Sequence, residues 1–227
     1  MDRVGAHHLS VSGLLALFLC LSAVCSGAAE PIEKKFEESA RFLTNPDCGW
    51  IAYNYEDSYK LRRRVAGGSE PFVFASVVYT RHARARWENE KGEFTDSPPL
   101  SLLEDWIAHK RDVAFRVYAN SMDHLPADLR PRIDGVGPEA KAVRYWDADY
   151  IEDHRRLISY LGERLGDSPY LAFVDIGGVG DSGGEWYLDN REKYRRAGLD
   201  DETYYRLVKT FVGMYEEAFP RTRLTIA

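Results

Sequence analysis

The sequence predicts an α/β protein, namely a (β/α)8 barrel of the TIM type of which about the first five strands are present. Three observations favour this class. Short segments rich in apolar, β-branched and aromatic residues recur along the chain, they are near-continuously apolar rather than alternating, and segments with helical periodicity separate them. Strands of that kind between amphipathic helices are typical of a parallel sheet covered by helices. A doubly wound, Rossmann-like sheet is the other architecture that fits this pattern.

Each predicted strand is a short apolar run bounded by turn residues. The second is the clearest, because it combines β-branched with aromatic residues and follows Pro71. The predicted strands cover residues 49–53, 72–79, 113–119, 170–176 and 223–227.

Amphipathic helices are predicted before the third, fourth and fifth strands. Apolar residues that recur at intervals of three and four place an apolar face on each helix. Gly166 and Pro220 are predicted to end the second and third of these helices. The faces consist of Leu102, Leu103, Trp106 and Ile107; of Ile151, His154, Ile158, Leu161 and Leu165; and of Tyr204, Leu207, Val208, Phe211 and Tyr215.

Residues 1–28 are predicted to be a secretory signal peptide rather than part of the fold. Arg3 precedes an apolar run over 11–24, and Ser26 and Ala28 are the small residues of a cleavage site. An uncleaved anchor is the alternative, although the run is shorter than the ~20 residues that span a bilayer. We therefore expect a secreted or periplasmic protein that has no membrane association after cleavage. Residues 29–44 are a lead-in to the domain over 45–227.

The charge balance bears on the class of partner, and the cysteine content and motifs bear on disulfides and metal sites. The chain has 36 acidic residues against 30 Lys and Arg, a net charge of −6, and this balance argues against nucleic acid as a partner. Of the three cysteines only Cys48 follows the predicted cleavage point, so no internal disulfide is expected. Since the sequence contains neither C-x-x-C nor H-E-x-x-H, we expect no metal and no other cofactor.

The spacing of the predicted strands implies more chain than the sequence contains. The strands begin about 43 residues apart, so eight strand–helix units would need about 350 residues, within the range of barrels with insertions. The sequence has 227 residues and stops inside the fifth predicted strand. We therefore expect an N-terminal fragment truncated within the barrel. A self-sufficient open sheet is the alternative.

The stretch 177–184, which reads GGVGDSGG, matches two motifs that its context argues against. The pattern G-x-G-x-x-G would bind a dinucleotide only if a helix began within the glycines, whereas Glu185, Trp186 and Tyr187 follow them. The pattern Gly-Asp-Ser-Gly-Gly is the nucleophile motif of chymotrypsin-like proteases, whose antiparallel, disulfide-rich barrels do not suit this chain. The glycines are predicted to form a loop that leaves the strand sharply.

Polar and aromatic residues follow the ends of the predicted strands, which is the edge where barrels carry out catalysis. Glu185 lies on the loop after the fourth strand. A carboxyl group beside an aromatic surface such as Trp186 is expected to have a raised pKa, which suits a general acid. The residues predicted to bind a sugar through hydrogen bonds and ring contacts are Tyr79, Arg116, Asn120, Asp175 and Trp186.

Several of these residues also have a purely structural interpretation. Asp175 would then be a buried carboxylate paired with Arg116, and Glu185 a solvated loop residue. The arginine-rich runs 62–64 and 81–86 are predicted to be solvated, and His154 to be a packed helix residue rather than a ligand.

The run 45–50, Asn-Pro-Asp-Cys-Gly-Trp, resembles the N-P-x-x-G-[FWY] opening of secreted glycoside-hydrolase-like barrels of the β-galactosidase/agarase type in clan A. Residues 146–164 and 173–186, the latter ending in Gly-Glu-Trp, resemble the third helix and fourth strand of that family. The resemblance implies hydrolysis of glycosidic bonds in an exported or extracellular poly- or oligosaccharide. It also implies that Glu185 is the acid/base at the end of strand four.

The sequence departs from the family pattern in two places and lacks one part of the site. Gly184 stands where the family has Asn before the catalytic Glu, and Tyr187 where relatives often have His. The family's nucleophile comes from strand seven, which this sequence does not contain. Because retaining hydrolysis needs two carboxylates, the fragment is expected to be inactive by itself. A non-catalytic carbohydrate-binding or scaffold barrel is the alternative function.

Overall fold

The computed structural model describes residues 50–54, 75–181 and 184–226. The predicted signal peptide, the lead-in, the motif over 45–49 and the arginine run 62–64 lie outside the described residues. The strands are β1 (Trp50–Asn54), β2 (Ala75–Ala83), β3 (Asp112–Tyr118), β4 (Leu171–Asp175) and β5 (Leu224–Thr225). The α-helices are α1 (Pro98–Ala108), α2 (Ala148–Leu165), α3 (Arg191–Arg196) and α4 (Asp201–Ala218). Within these ranges, none of the helices is both long and apolar enough to span a membrane.

All five strands pair in parallel in the order β1-β2-β3-β4-β5, so each strand lies beside the one that precedes it in the chain. Right-handed crossovers between such strands return over the same face of the sheet. A doubly wound sheet instead reverses its strand order at a switch point, and these five strands show no reversal. The protein therefore has a mixed α/β fold with a five-stranded parallel sheet, which is compatible with a partial (β/α) barrel.

The two faces of the sheet have different neighbours. One face, which carries Phe115 and Val174, packs against the apolar sides of α1, α2 and α4 and forms the main core. The opposite face carries a small apolar cluster formed by Val77, Tyr79 and Ala114, with Phe173 packed against it. None of the four helices of the described chain contributes to that second cluster. Helices on a single face of a parallel sheet are what a barrel requires, because its other face lines the interior.

The long helices form where apolar spacing and capping residues coincide. Asp147 caps α2 by accepting the N–H of Asp149 at 2.9 Å, and Asp200 caps α4 by accepting the N–H of Thr203 at 2.7 Å. α1 begins at Pro98, a residue that has no N–H group to leave unpaired in the first turn. Each of these helices therefore begins about one turn before the first residue of its predicted apolar face.

The predicted alternation of strands and helices is confirmed, with differences at the boundaries. β3, β4 and β5 overlap the predicted runs, and Gly166 and Pro220 lie just beyond α2 and α4 as expected. β2 continues to Ala83, although the pattern predicted its end at Tyr79. The short helix α3 was not predicted, because its sequence is almost entirely charged and has no apolar repeat.

The prediction that residues 81–86 form a solvated face is wrong for Arg81, His82 and Arg84. These side chains are buried, since β2 carries the first two into the sheet and Arg84 follows at its end. The guanidinium of Arg84 lies 2.6 Å from the carboxylate of Asp153 on α2. A buried cation is tolerated when a carboxylate neutralises it and accepts its hydrogen bonds.

Candidate functional site

Three charged side chains lie in one row across the carboxyl ends of β2, β3 and β4. The strand register pairs Arg81 with Arg116, and Arg116 with Asp175. Arg81 lies two residues beyond Tyr79 in β2, so both residues face the side of the sheet whose apolar cluster receives no residue from the described helices. The carboxyl ends of parallel strands are the edge where α/β proteins place their binding sites.

Asp175 is buried and bonded to two neighbours. Its Oδ2 lies 2.6 Å from Nη2 of Arg116 and accepts the hydroxyl group of Tyr79 at 2.5 Å. The pairing with Arg116, which was the structural alternative for Asp175, is therefore confirmed. Burial, together with the bond to Asp175, raises the pKa of Tyr79 far above its usual value, so its hydroxyl stays protonated and donates.

Glu185 reaches the same row from the loop that follows β4. Its Oε1 lies 2.6 Å from Nη1 of Arg81 and 3.6 Å from Nη1 of Arg116. The Glu185 side chain is 40% exposed, whereas the side chains of Arg81 and Arg116 are 8% and 1% exposed. Glu185 is therefore the accessible member of a buried charged cluster. The surface it contacts consists of two guanidinium groups rather than the aromatic ring that the sequence indicated.

The indole of Trp186 packs into the core instead of forming an open platform. Its Nε1 donates to the carbonyl of Ile176 at 2.7 Å, and its ring meets Phe211 edge-on with the centroids 5.8 Å apart. The backbone of Trp186 has a φ of +58°, a conformation that costs of order 1–3 kcal/mol in a residue other than glycine. The ring contacts hold the residue in this strained conformation directly after Glu185.

Tyrosine hydroxyl groups hold the loop over residues 177–186, which we call the glycine loop. Tyr145 donates to the carbonyl of Gly180 at 2.9 Å, and Tyr204 to that of Trp186 at 2.8 Å. Two further tyrosines donate to the loop: Tyr150 to the carbonyl of Gly178 and Tyr194 to the carboxylate of Asp181. The hydroxyl oxygen of Tyr215 accepts the N–H of Gly177. Burial raises the pKa of all five tyrosines, so these hydroxyls remain protonated near neutrality.

Two glycines allow the loop to leave β4 through a crowded region. A Cβ on Gly177 would lie 2.3 Å from the carbonyl oxygen of Val117. Gly178 has a φ of +100°, and a Cβ there would lie 2.6 Å from the His154 ring. The described part of the loop contains no helix start, in agreement with the sequence argument against a dinucleotide site. The parallel sheet likewise excludes the antiparallel barrels of chymotrypsin-like proteases.

His154 is a packed core residue, as its helical spacing predicts. Its ring lies 4.9 Å from that of Phe211, and its Nε2 lies 3.1 Å from the hydroxyl oxygen of Tyr215. Complete burial lowers the pKa of His154 to about 3, so the ring is neutral at physiological pH. Among the described residues, no group of three or more His, Cys, Asp and Glu side chains could hold a metal ion.

Asn120 lies in a different part of the same edge. It follows β3 and lines a surface cleft of about 430 Å³ that includes Asp181, Asp189 and Lys193, but none of the charged row. The backbone N–H of Asn120 bonds to Nδ1 of His124 at 3.1 Å. The predicted sugar-binding residues therefore lie in three places. Arg116 and Asp175 belong to the charged row, to which Tyr79 is bonded, Asn120 lines this cleft, and the Trp186 ring packs against the core.

Arg81 is the member of the cluster that sequence reasoning missed. The basic run 81–86 suggested solvent exposure, although Arg81 stands at the end of the predicted second strand, directly after Tyr79 and Thr80. The available signal was its parity, because Val77, Tyr79 and Arg81 alternate along one side of a strand.

The sequence matches no family model and no curated protein. Among solved structures, the chain is similar to a β-galactosidase from the psychrophilic Marinomonas ef1, with a TM-score of 0.44 and 13% sequence identity. The match covers 77% of this chain and 36% of the β-galactosidase. This chain thus corresponds to little more than a third of the neighbour's length, and the proposals below rest on the residues of the site itself.

Proposed function

We propose that this chain is part of an exported (β/α) barrel that hydrolyses glycosidic bonds, with Glu185 as its acid/base. The observation that supports this function is the position of Glu185. It is a 40% exposed carboxyl group at the carboxyl edge of a sequentially ordered parallel sheet, and the buried Arg81 anchors it. Barrel enzymes place their catalytic groups at this edge.

A closed barrel would give a role to the helix-free face of the sheet. Further strands would enclose the apolar residues around Tyr79 and Phe173 as interior layers. The charged row of Arg81, Arg116 and Asp175 would then lie at the catalytic end of that interior. In this proposal residues 1–28 direct export, and the partner is a carbohydrate rather than a nucleic acid or a membrane.

In this proposal the two oxygens of Glu185 and the carboxylate of Asp175 have different roles. Both arginine contacts of Glu185 use Oε1, and no hydrogen bond from the described residues engages Oε2. Oε2 would protonate the leaving glycosidic oxygen and later accept a proton from water. Asp175 is buried and bonded to Tyr79 and Arg116, so it would position Arg116 rather than attack the sugar. The second carboxylate that the chemistry requires would come from a later strand.

The substitution Glu185→Gln in the full-length protein tests this function. Glutamine keeps the shape of the side chain but cannot transfer the proton, so we expect kcat on 4-nitrophenyl glycosides to fall by about 10²–10⁴-fold. The Kd for the unmodified sugar should stay within about twofold. Glu192→Gln, an exposed carboxylate that pairs with Arg196 at 3.0 Å, is the matched control and should leave kcat unchanged. Normal turnover by Glu185→Gln would exclude the assignment.

A non-catalytic carbohydrate-binding barrel is the second candidate. The observation that favours it is the pairing of Glu185 with both Arg81 and Arg116, an arrangement also suited to a structural ion pair. In that case the full-length wild-type protein would bind oligosaccharides without cleaving any of them, and Glu185→Gln would change stability rather than turnover.

A further inference from the structure

A cleft of about 430 Å³, lined by both polar and apolar residues, opens beside the glycine loop. We call it the Asp189 cleft. The loop after β3 contributes Asn120 to its wall, the loop after β4 contributes Asp181 and Asp189, and α3 contributes Lys193. Its volume falls within the range of about 300–1,000 Å³ that ligand pockets occupy.

We infer that the Asp189 cleft binds one neutral sugar unit of the glycan on which Glu185 acts. The identity of the ligand rests on the proposed function, whereas the existence and polarity of the cleft do not. Three features of the cleft favour such a ligand: oriented polar side chains, apolar lining residues and the balance of charges.

Two of the polar side chains that line the cleft, Asp181 and Lys193, have partners within the fold. Asp181 accepts the hydroxyl group of Tyr194 through Oδ1 and the N–H of Asp189 through Oδ2, the latter at 2.9 Å. Lys193 belongs to the first turn of α3, where its N–H bonds to the capping oxygen of Asn190 at 3.0 Å. The Nζ of Lys193 lies 4.5 Å from the centre of the Tyr194 ring. A ligand would therefore meet oriented acceptors and a donor at little cost in side-chain entropy.

Apolar residues also line the cleft. Val136 and Ala142 are joined by an antiparallel bridge, and Pro138 lies on the turn between them. A sugar ring has hydroxyl groups at its edge and C–H groups on its faces. A cleft lined by both polar and apolar residues suits both parts of such a ring.

The charges of the cleft favour a neutral ligand over an ionic one. Glu139 and Lys141 pair with each other at its margin. Asp181, Asp189 and Lys193 then remain as the charged lining residues. An anionic sugar would meet two carboxylates, and a cation would meet the Lys193 ammonium group. A neutral polyol can donate hydroxyl groups to the carboxylates and accept a bond from Lys193.

The cleft is connected to Glu185 through the chain itself. Asp181 and Glu185 belong to the same loop, whose described parts the tyrosine hydroxyls hold. A sugar unit in the Asp189 cleft would therefore contact the loop that carries Glu185.

Titration of the ¹⁵N-labelled full-length protein with galactose, cellobiose and glucuronate tests this inference. We expect saturable shifts of the Asp181, Asp189 and Lys193 amide signals with galactose or cellobiose and weaker ones with glucuronate. Asp189→Ala and Lys193→Ala should each raise the Kd at least fivefold. Arg191→Ala, a change on the same helix outside this cleft, should leave it unchanged. Absence of these shifts, or tighter binding of glucuronate, would overturn the inference.

The same titration on Glu185→Gln separates the two proposals. If this variant turns over normally while the cleft still binds the neutral sugar, the proposed function fails and the cleft assignment stands. If turnover is lost but no neutral sugar shifts the cleft signals, the cleft assignment fails alone.

Discussion

At the scale of single residues, Arg84 shows how strongly one long-range contact determines where a charge lies. Its guanidinium is fully buried, 2.6 Å from Asp153 and 2.7 Å from Glu88, and it lies 5.2 Å from the centre of the Phe94 ring. Each of these contacts offsets part of the cost of removing the cation from water. The ion pair between Arg84 and Asp153 joins the end of β2 to α2.

Replacing Arg84 by Met should lower the free energy of unfolding by about 3–5 kcal/mol, because the carboxylate of Asp153 would be left without its cation. Arg86→Met is the matched control, since Arg86 belongs to the same short turn but is exposed, and it should change stability by less than about 0.5 kcal/mol. Urea unfolding followed by circular dichroism measures both values. A loss below about 1 kcal/mol for Arg84→Met would contradict the ion-pair argument.

The charged row could be predicted from the sequence in part. The parity of Asp175 and the alternation around Arg116 indicate side chains on one face, and their pairing follows from adjacent strands. The parity of Arg81 with Tyr79 indicates the same face, but its pairing could not be predicted, because its partner Glu185 lies 104 positions further along the chain. The basic composition of the chain near Arg81 indicates that its side chain is exposed to solvent. Only the tertiary structure brings the carboxylate of Glu185 next to it.

At the scale of elements, α2 and α4 approach each other most closely near Gly162. A Cβ at this position would lie 2.4 Å from the carbonyl oxygen of Ala218, the last residue of α4. Gly213, on α4 itself, has no atom within 4 Å of the same point. A side chain at position 162 would therefore collide with α4, whereas a side chain at position 213 would meet open space.

Gly162→Ala should destabilise the protein by about 1–3 kcal/mol, because the added methyl group forces the two helices apart. Gly213→Ala should stabilise it by about 0.5–1 kcal/mol, because alanine loses less backbone entropy in a helix. Thermal and urea unfolding of the two variants, measured side by side, compare these signs. If both substitutions stabilised the protein, the close approach at Gly162 would be wrong.

The elements themselves were predictable because their signals are local. Runs rich in β-branched residues predict the strands, and apolar residues at intervals of three and four predict α1, α2 and α4. The tyrosines of the glycine loop were not predictable in their role. Tyr204 and Tyr215 lie on the apolar face of α4 as the periodicity indicates, yet their hydroxyl groups bond to backbone atoms of the loop. No local pattern distinguishes such a tyrosine from a phenylalanine.

At the scale of the whole molecule, the buried tyrosines determine how stability depends on alkaline pH. Burial raises the pKa of Tyr145, Tyr150 and Tyr215 above the usual value. In the unfolded chain these hydroxyls lose their protons near pH 10, whereas in the folded protein they retain them. The unfolded state then binds fewer protons, so the free energy of unfolding falls as the pH rises through this range.

We expect the urea midpoint to be steady between pH 8 and about pH 9.5 and to fall steeply above about pH 10. Tyr150→Phe should make that fall shallower, since one buried hydroxyl no longer titrates on unfolding. Tyr205→Phe replaces a tyrosine that is 59% exposed and should keep the wild-type slope. Equal slopes for Tyr150→Phe and the wild type would show that burial of this hydroxyl has no such effect.

The sequential strand order also has a consequence for how the protein is made. Each of the strands β2 to β5 pairs with the described strand synthesised just before it. No described strand has to wait for a distant partner, and the loops to be closed are those of single strand–helix units. Domains begin to fold during synthesis from the N-terminal side, at about 5–20 residues per second. The sheet can therefore grow in the order in which the ribosome delivers its strands.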